Sequence, residues 1–157
     1  MNICRVTYCS IAMLLAFSLG TLARGQQSPT PADHAFDEQL ELGRQSLTQG
    51  NFKDAIDALK RAARLHQDCA ACYYLLTVAF LHSGQMDEGL KSCDRAIATA
   101  NDDRLRALAH NLKGDAITTL AGTDKKKLGA AQNEDRSAVQ LEPNTLLYHM
   151  NFAKSLL

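Results

Sequence analysis

The sequence predicts an all-α fold, a solenoid of antiparallel helix pairs, and three observations carry that expectation. Apolar residues recur at three- and four-residue steps, as in Ala55, Leu59, Ala62 and Ala63, which is the spacing of one buried helix face. The positions Leu42, Gly50, Phe52, Ala55, Leu59 and Ala62 return 34 residues later as Leu76, Gly84, Met86, Gly89, Cys93 and Ala96. A fixed period of that kind marks a stacked array, because one helix pair cannot bury its own apolar stripe and a neighbour must cover it. Small residues at Gly43, Ala55, Ala62, Gly89, Ala96, Gly114, Ala131 and Ala138 let helix axes approach closely, and Gly50 and Gly84 stand where first helices end.

The opening of the 157-residue chain is set aside before the array is delimited. Residues 1–25 read as a signal peptide, with basic Arg5, an apolar run from Val6 to Ala23, and the small-residue exit Ala23-Arg24-Gly25. Cleavage before Gln26 is expected, followed by a periplasmic or secreted location. The competing reading is an uncleaved membrane anchor, since the run approaches the ~18 residues that begin to span a bilayer. Polar Thr7, Ser10 and Ser18 interrupt the run and favour cleavage, and Cys9 lies too deep in it to serve as a lipid-attachment site. Residues 26–35, with Pro29 and Pro31 among Gln, Ser and Thr, read as a flexible linker, so the folded part is expected to start near Ala35. Loss of Arg5 and Arg24 leaves 15 basic against 17 acidic residues. A net charge of −2 with neutral histidines makes nucleic acid an unexpected partner.

The first helix pair is assigned to residues 36–69 and the second to 70–103. The third, 104–145, breaks the period: Gly114 follows Thr77 by 37 residues, whereas Ala138 follows Ala96 by 42. Its inter-helix loop is therefore expected to be five residues longer, with the insertion at Thr123 to Lys127. Ala153 and Leu156 follow Gly114 and Ile117 by 39 residues, the period plus the same insertion. Leu141-Glu142-Pro143-Asn144 forms the junction, and 146–157 is the first helix of an incomplete or capping fourth pair. The chain stops at Ser155-Leu156-Leu157 inside an apolar pattern, which suits either an N-terminal fragment or a short protein whose last helix caps the array.

Leu42-Gly43, Phe52, Ala55 and Leu59 in the first copy, and Tyr73, Leu76-Thr77, Phe80, Gly89 and Cys93 in the second, resemble a tetratricopeptide repeat closely. The resemblance implies a right-handed α-solenoid whose first helices line a concave face that takes an extended peptide or a partner helix. By matching repeat positions, that face offers Leu40, Arg44, Tyr74, Val78, Asn111 and Asp115. Chaperone-binding members of the family hold a terminal carboxylate with a Lys and Asn clamp. The corresponding places here are Leu40, Arg44, Tyr74 and Val78, so the clamp is absent. An apolar groove with an aromatic suits a hydrophobic segment better than a carboxylate terminus. The competing reading is that these residues partly pack against one another.

Catalytic signatures are weak throughout. Cys69-Ala70-Ala71-Cys72 places two thiols at a helix start, a spacing that serves a small-ring disulfide or thiol exchange. No strand precedes the pair, so packing or a structural disulfide is favoured over redox exchange. His66 adds a third metal-ligand type, but a structural zinc site needs four and no fourth follows; covalent haem would need His where Tyr73 stands. Cys93 fills a large apolar slot. Asp54, Asp57, Asp87 and Glu88 fall at second-helix starts, where acids favour the helix dipole. Lys125-Lys126-Lys127 reads as a solvated loop tip, with contact to an acidic surface as the sharper alternative. No catalytic residue, metal or cofactor is expected. The sequence thus points to an exported scaffold for a protein or peptide partner, meeting a membrane only if the leader is uncleaved. The alternative is an N-terminal module of a larger exported enzyme, such as a thiol-disulfide oxidoreductase.

Overall fold

A computed structural model describes residues 30–156. The expected signal peptide, its cleavage site and residues 26–29 of the expected linker lie outside the described residues. Among the described residues every regular element is helical: α1 Pro31–Thr48, α2 Phe52–Leu65, α3 Ala70–His82, α4 Met86–Thr99, α5 Asp103–Ala121, α6 Lys125–Leu141 and α7 Leu146–Ser155. Consecutive helices pack as antiparallel pairs, α1 with α2, α3 with α4 and α5 with α6, and α2, α4 and α6 each lean on the next first helix. Contacts of α1 with α3, α3 with α5 and α5 with α7 join the first helices into one continuous layer.

The linker expectation is corrected at its end, because Pro31 to Ala35 are already helical. Thr30 Oγ1 accepts from the Asp33 backbone N–H at 3.3 Å, and Asp33 Oδ2 accepts from the Thr30 N–H at 2.8 Å. This reciprocal capping box satisfies two orphan donors. Pro31 occupies the first helical turn, where its missing N–H costs nothing and its fixed φ helps. A proline taken as a linker residue is thus a helix starter.

The long loop expected in the third pair is also corrected. Each pair is closed by three residues only, 49–51, 83–85 and 122–124. Relative to the first two pairs, α5 runs two residues further beyond Gly114, and α6 starts three residues earlier before Ala131. The extra residues lengthen the hairpin by roughly 3 Å on one helix and 4.5 Å on the other. Local chemistry explains this: Gly122 takes φ +54° and ends α5, as Gly50 and Gly84 end α1 and α3 at φ near +75°. Asp124 then caps α6, accepting from the Lys126 and Lys127 N–H groups at 2.9 and 3.3 Å. Lys125, Lys126 and Lys127 are therefore an exposed first helical turn rather than a loop.

Three apolar clusters run along the array. The first joins α2 and α3 through Ile56, Leu59, Ala62, Cys72, Leu76 and Phe80. The second holds Cys93, Ala96 and Ala109 against Tyr73 and Tyr74, and the third holds Ala107, Ala138 and Tyr148. Burying a side chain such as Leu59 stabilises the fold by about 1.5–3 kcal/mol. Leu42 departs from the packing expected of its Leu-Gly pair: it is 43% exposed, whereas its repeat counterpart Leu76 is 4% exposed. Leu76 lies against α2 of the preceding pair, and no described helix precedes α1. Leu146, Leu147 and Met150 on α7, and Leu156 just past its end, are exposed as well.

Candidate functional site

The first-helix layer carries all six residues expected on the concave face. Leu40 is half-buried against the first cluster, and Arg44, one turn along α1, is exposed. On α3, Tyr74 is half-buried against the second cluster, and Val78 one turn later is half-buried. Burial, with the nearby Cys93 adding to it, pushes the Tyr74 phenol up from its ordinary pKa, so it stays neutral. Leu40 and Tyr74 combine partial exposure with packing against the core clusters, and Val78 is partly exposed.

Asn111 and Asp115 on α5 behave differently. Asn151 of α7 donates to Asn111 Oδ1 at 2.9 Å and to Asp115 Oδ2 at 3.2 Å. One side chain of α7 thus ties the two together. Burial raises the Asp115 pKa, opposed by the Lys154 charge. The structure brings Asn111 and Asp115 together through Asn151, while Leu40, Arg44, Tyr74 and Val78 form the open part of the layer.

Cys69 and Cys72 are joined by a disulfide with Cα atoms 5.3 Å apart. Cys69 is the N-cap of α3, and its sulfur accepts from the Cys72 N–H at 3.1 Å. Cys72 is fully buried in the same cluster as Ala62. The bond therefore closes the first turn of α3 on itself, and packing of Cys72, not the bond, joins that turn to α2. His66 faces the other way, its Nε2 3.4 Å from Asp33 Oδ1 and its ring 4.3 Å from that of Phe36. Cys93 is fully buried and donates to the Ala109 carbonyl at 3.0 Å. Burial pushes its thiol up to about 12, far from a reactive thiolate.

Sequence reasoning missed two polar groups in the third pair. Lys113 Nζ bridges Asp94 Oδ1 at 2.8 Å and Glu134 Oε1 at 2.7 Å, while His110 Nδ1 lies 2.7 Å from Glu134 Oε2. This network ties α4, α5 and α6 together. Burial raises the Glu134 pKa, but the hydrogen bonds from His110 and Lys113 outweigh it and hold the carboxyl below its ordinary value. The second group is Asp135, 2% exposed, with Oδ1 lacking a hydrogen-bond partner. The period contained its signal: the 42-residue offset that carries Ala96 to Ala138 carries Cys93 to Asp135. A carboxylate in a slot otherwise filled by Leu59 and Cys93 was there to be noticed.

An array of stacked helix pairs whose first helices form one continuous layer defines a helical-repeat protein. A family model described as tetratricopeptide repeat matches residues 40–104. That segment belongs to the tetratricopeptide repeat family, and α5, α6 and α7 continue its architecture. Solved structures agree on the fold. The second TPR domain of human RPAP3, in complex with the HSP70 peptide SGPTIEEVD, is 20% identical with a TM-score of 0.70, covering 80% of this chain and 98% of that one. The TPR2B domain of yeast Sti1, in complex with an Hsp70 peptide, is 15% identical with a TM-score of 0.69, covering 78% and 97%. The N-terminal domain of stress-induced protein-1 from C. elegans is 16% identical with a TM-score of 0.70, covering 82% and 99%. No curated protein matches the chain by sequence.

Proposed function

We propose that this chain is an exported interaction scaffold that binds a hydrophobic peptide segment or partner helix along its concave face. The observation that carries the reading is the stripe of Leu40, Tyr74 and Val78, all partly exposed, the first two packed on apolar clusters, with Arg44 at its margin. Anchored aromatic and aliphatic side chains lose little entropy when a ligand covers them, which suits a binding surface. The peptide complexes formed by RPAP3 and Sti1 support the use of this fold for peptides. Neither clamp residue type occurs at positions 40, 44, 74 or 78, so a carboxylate terminus is not the ligand favoured here. Export is supported by the leader-like residues 1–25 and by the Cys69–Cys72 disulfide, which persists in oxidising compartments. Cys72 is fully buried, and this supports a structural bond over thiol exchange.

Selection of displayed random peptides on the immobilised mature chain tests the reading. Enrichment of apolar sequences, lost in a Val78→Glu Arg44→Glu variant and kept in a Lys91→Glu variant on α4, is the expected result. Equal binding by all three proteins would refute it.

A further inference from the structure

Each first helix offers its own second helix the same two positions, four residues apart. At the earlier one, Gln39 accepts from Arg61 Nε at 2.6 Å, the Tyr73 hydroxyl accepts from Arg95 at 3.3 Å, and His110 Nδ1 lies 2.7 Å from Glu134 Oε2. At the later one, Gly43 lies against Leu59 and Gly114 against Asp135, while buried Thr77 holds the place in α3. The 39-residue offset that carries α5 onto α7 puts His149 and Ala153 at these two positions. Both are exposed, and no described helix takes the second-helix place beside α7. Leu146 matches Ala107, which is buried with Ala138 of α6, yet Leu146 is 72% exposed. Met150 matches half-buried Leu40 and Tyr74 and is 59% exposed. The interface that α1, α3 and α5 each close with a second helix is thus continued on α7 and left uncovered there, as an apolar stripe of the kind that marks an interaction surface.

The three closed pairs define what fits this stripe. Their second helices run antiparallel to the first and carry a small residue four before and another three after the slot: Ala55, Leu59, Ala62; Gly89, Cys93, Ala96; Ala131, Asp135, Ala138. A Cβ at Gly43 would stand 2.5 Å from Leu59 Cγ, and Ala153 has that Cβ, so the slot residue opposite it is small, as Cys93 is. Charge sets the rest. His149 Nε2 lies 2.7 Å from the Pro143 carbonyl, and its Nδ1, the atom that His110 turns to Glu134, has no partner among the described residues. Lys154 beside it is exposed, and Leu146–Ser155 contains no acid. A second copy of the chain fits poorly: its own second helices already bury their slot faces, and α7 against α7 would set His149 and Lys154 on their like.

We propose that the stripe of Leu146, His149, Met150 and Ala153 docks one acidic amphipathic helix of a separate protein, antiparallel to α7, with a small side chain seated on Ala153 and a carboxylate on His149. The mode is a helix laid on an apolar face, with anchors at helical spacing and a charge-assisted bond fixing the register. This site does not rest on the concave-face reading, since Leu40, Arg44, Tyr74 and Val78 are outside it.

The probe is a synthetic peptide of residues 86–99, held helical by a hydrocarbon staple across its solvent face and carrying Ser92→Glu, the place of Glu134, and Cys93→Ala. NMR titration into the isotope-labelled mature chain is expected to give saturable shifts in α7. The peptide with Ser92 retained is expected to bind several-fold more weakly. Ala153→Leu in the chain adds apolar area but fills the slot, and is expected to weaken binding about tenfold or more. Val78→Glu Arg44→Glu, altered on the concave stripe alone, is expected to bind the peptide unchanged. Absence of saturable shifts in α7, or binding by Ala153→Leu as tight as by the parent, would overturn the proposal. So would a dimer of the chain alone, seen by light scattering and dissolved by Leu146→Glu, which would give the stripe to a second copy.

Discussion

The Asp135 carboxyl occupies the space that a side chain at Gly114 would need, since a Cβ added there would stand 2.9 Å from Asp135 Cγ. The first pair is built alike, with a Cβ at Gly43 falling 2.5 Å from Leu59 Cγ. Both glycines sit in helix interiors at φ values open to any residue, so closeness of approach is what they supply. Gly114→Ala and Gly43→Ala are each expected to lower stability by about 1–3 kcal/mol through overpacking. Gly129→Ala, in α6 with nothing within 4 Å, is expected to raise it by ~0.5–1 kcal/mol. Urea unfolding of the three variants checks the contrast.

Glu134 responds to pH with the sign opposite to its neighbour Asp135, whose carboxyl burial pushes up. His110 and Lys113 hold its carboxyl below the ordinary value, so its contribution is complete above the unfolded pKa of ~4.3 and is lost as pH falls through the lowered one. Glu134→Gln is expected to cost about 1–3 kcal/mol at neutral pH and to flatten the loss of stability on acidification. Thermal melts across the acid range measure both effects. An unchanged acid slope in the variant would remove Glu134 from the account.

Much of this architecture was legible because each pair repeats the same chemistry at the same spacing. Gly50 and Gly84 marked the ends of α1 and α3, and Ala55, Leu59 and Ala62 marked the buried face of α2. The misplaced insertion has a physical cause: counting offsets locates extra residues between Gly114 and Ala131 but does not say whether they coil. Gly122 and Asp124 decide that, one ending α5 and the other starting α6. The tie between Asn151 and the Asn111–Asp115 pair joins residues 36 to 40 positions apart with no repeat counterpart, so no periodicity reports it.

Replacing Cys69 and Cys72 together with Ala separates a staple from a redox centre. The loop the bond closes is short, and by the chain-entropy model its loss costs ~2 kcal/mol. Partner binding is expected to survive, because neither sulfur belongs to the concave stripe. Peptide binding abolished in the double variant at a temperature where it remains folded would contradict this.

The Cys93 thiol, fully buried and pushed up to about 12, is expected to resist alkylation in the folded protein and to react on unfolding. Mass spectrometry after timed iodoacetamide treatment, with and without denaturant, reads the difference. Rapid labelling of the native chain would mean that α4 and α5 separate readily.

Photo-crosslinking in the living host tests the concave-face reading most directly. A photoreactive amino acid is placed singly at position 44 or 78 on the first-helix layer, or at exposed Asp57 or Lys91 on α2 and α4. Covalent adducts to one and the same partner from positions 44 and 78, with none from 57 and 91, are the predicted result. Adducts to that partner from 57 and 91 but not from 44 and 78 would contradict it.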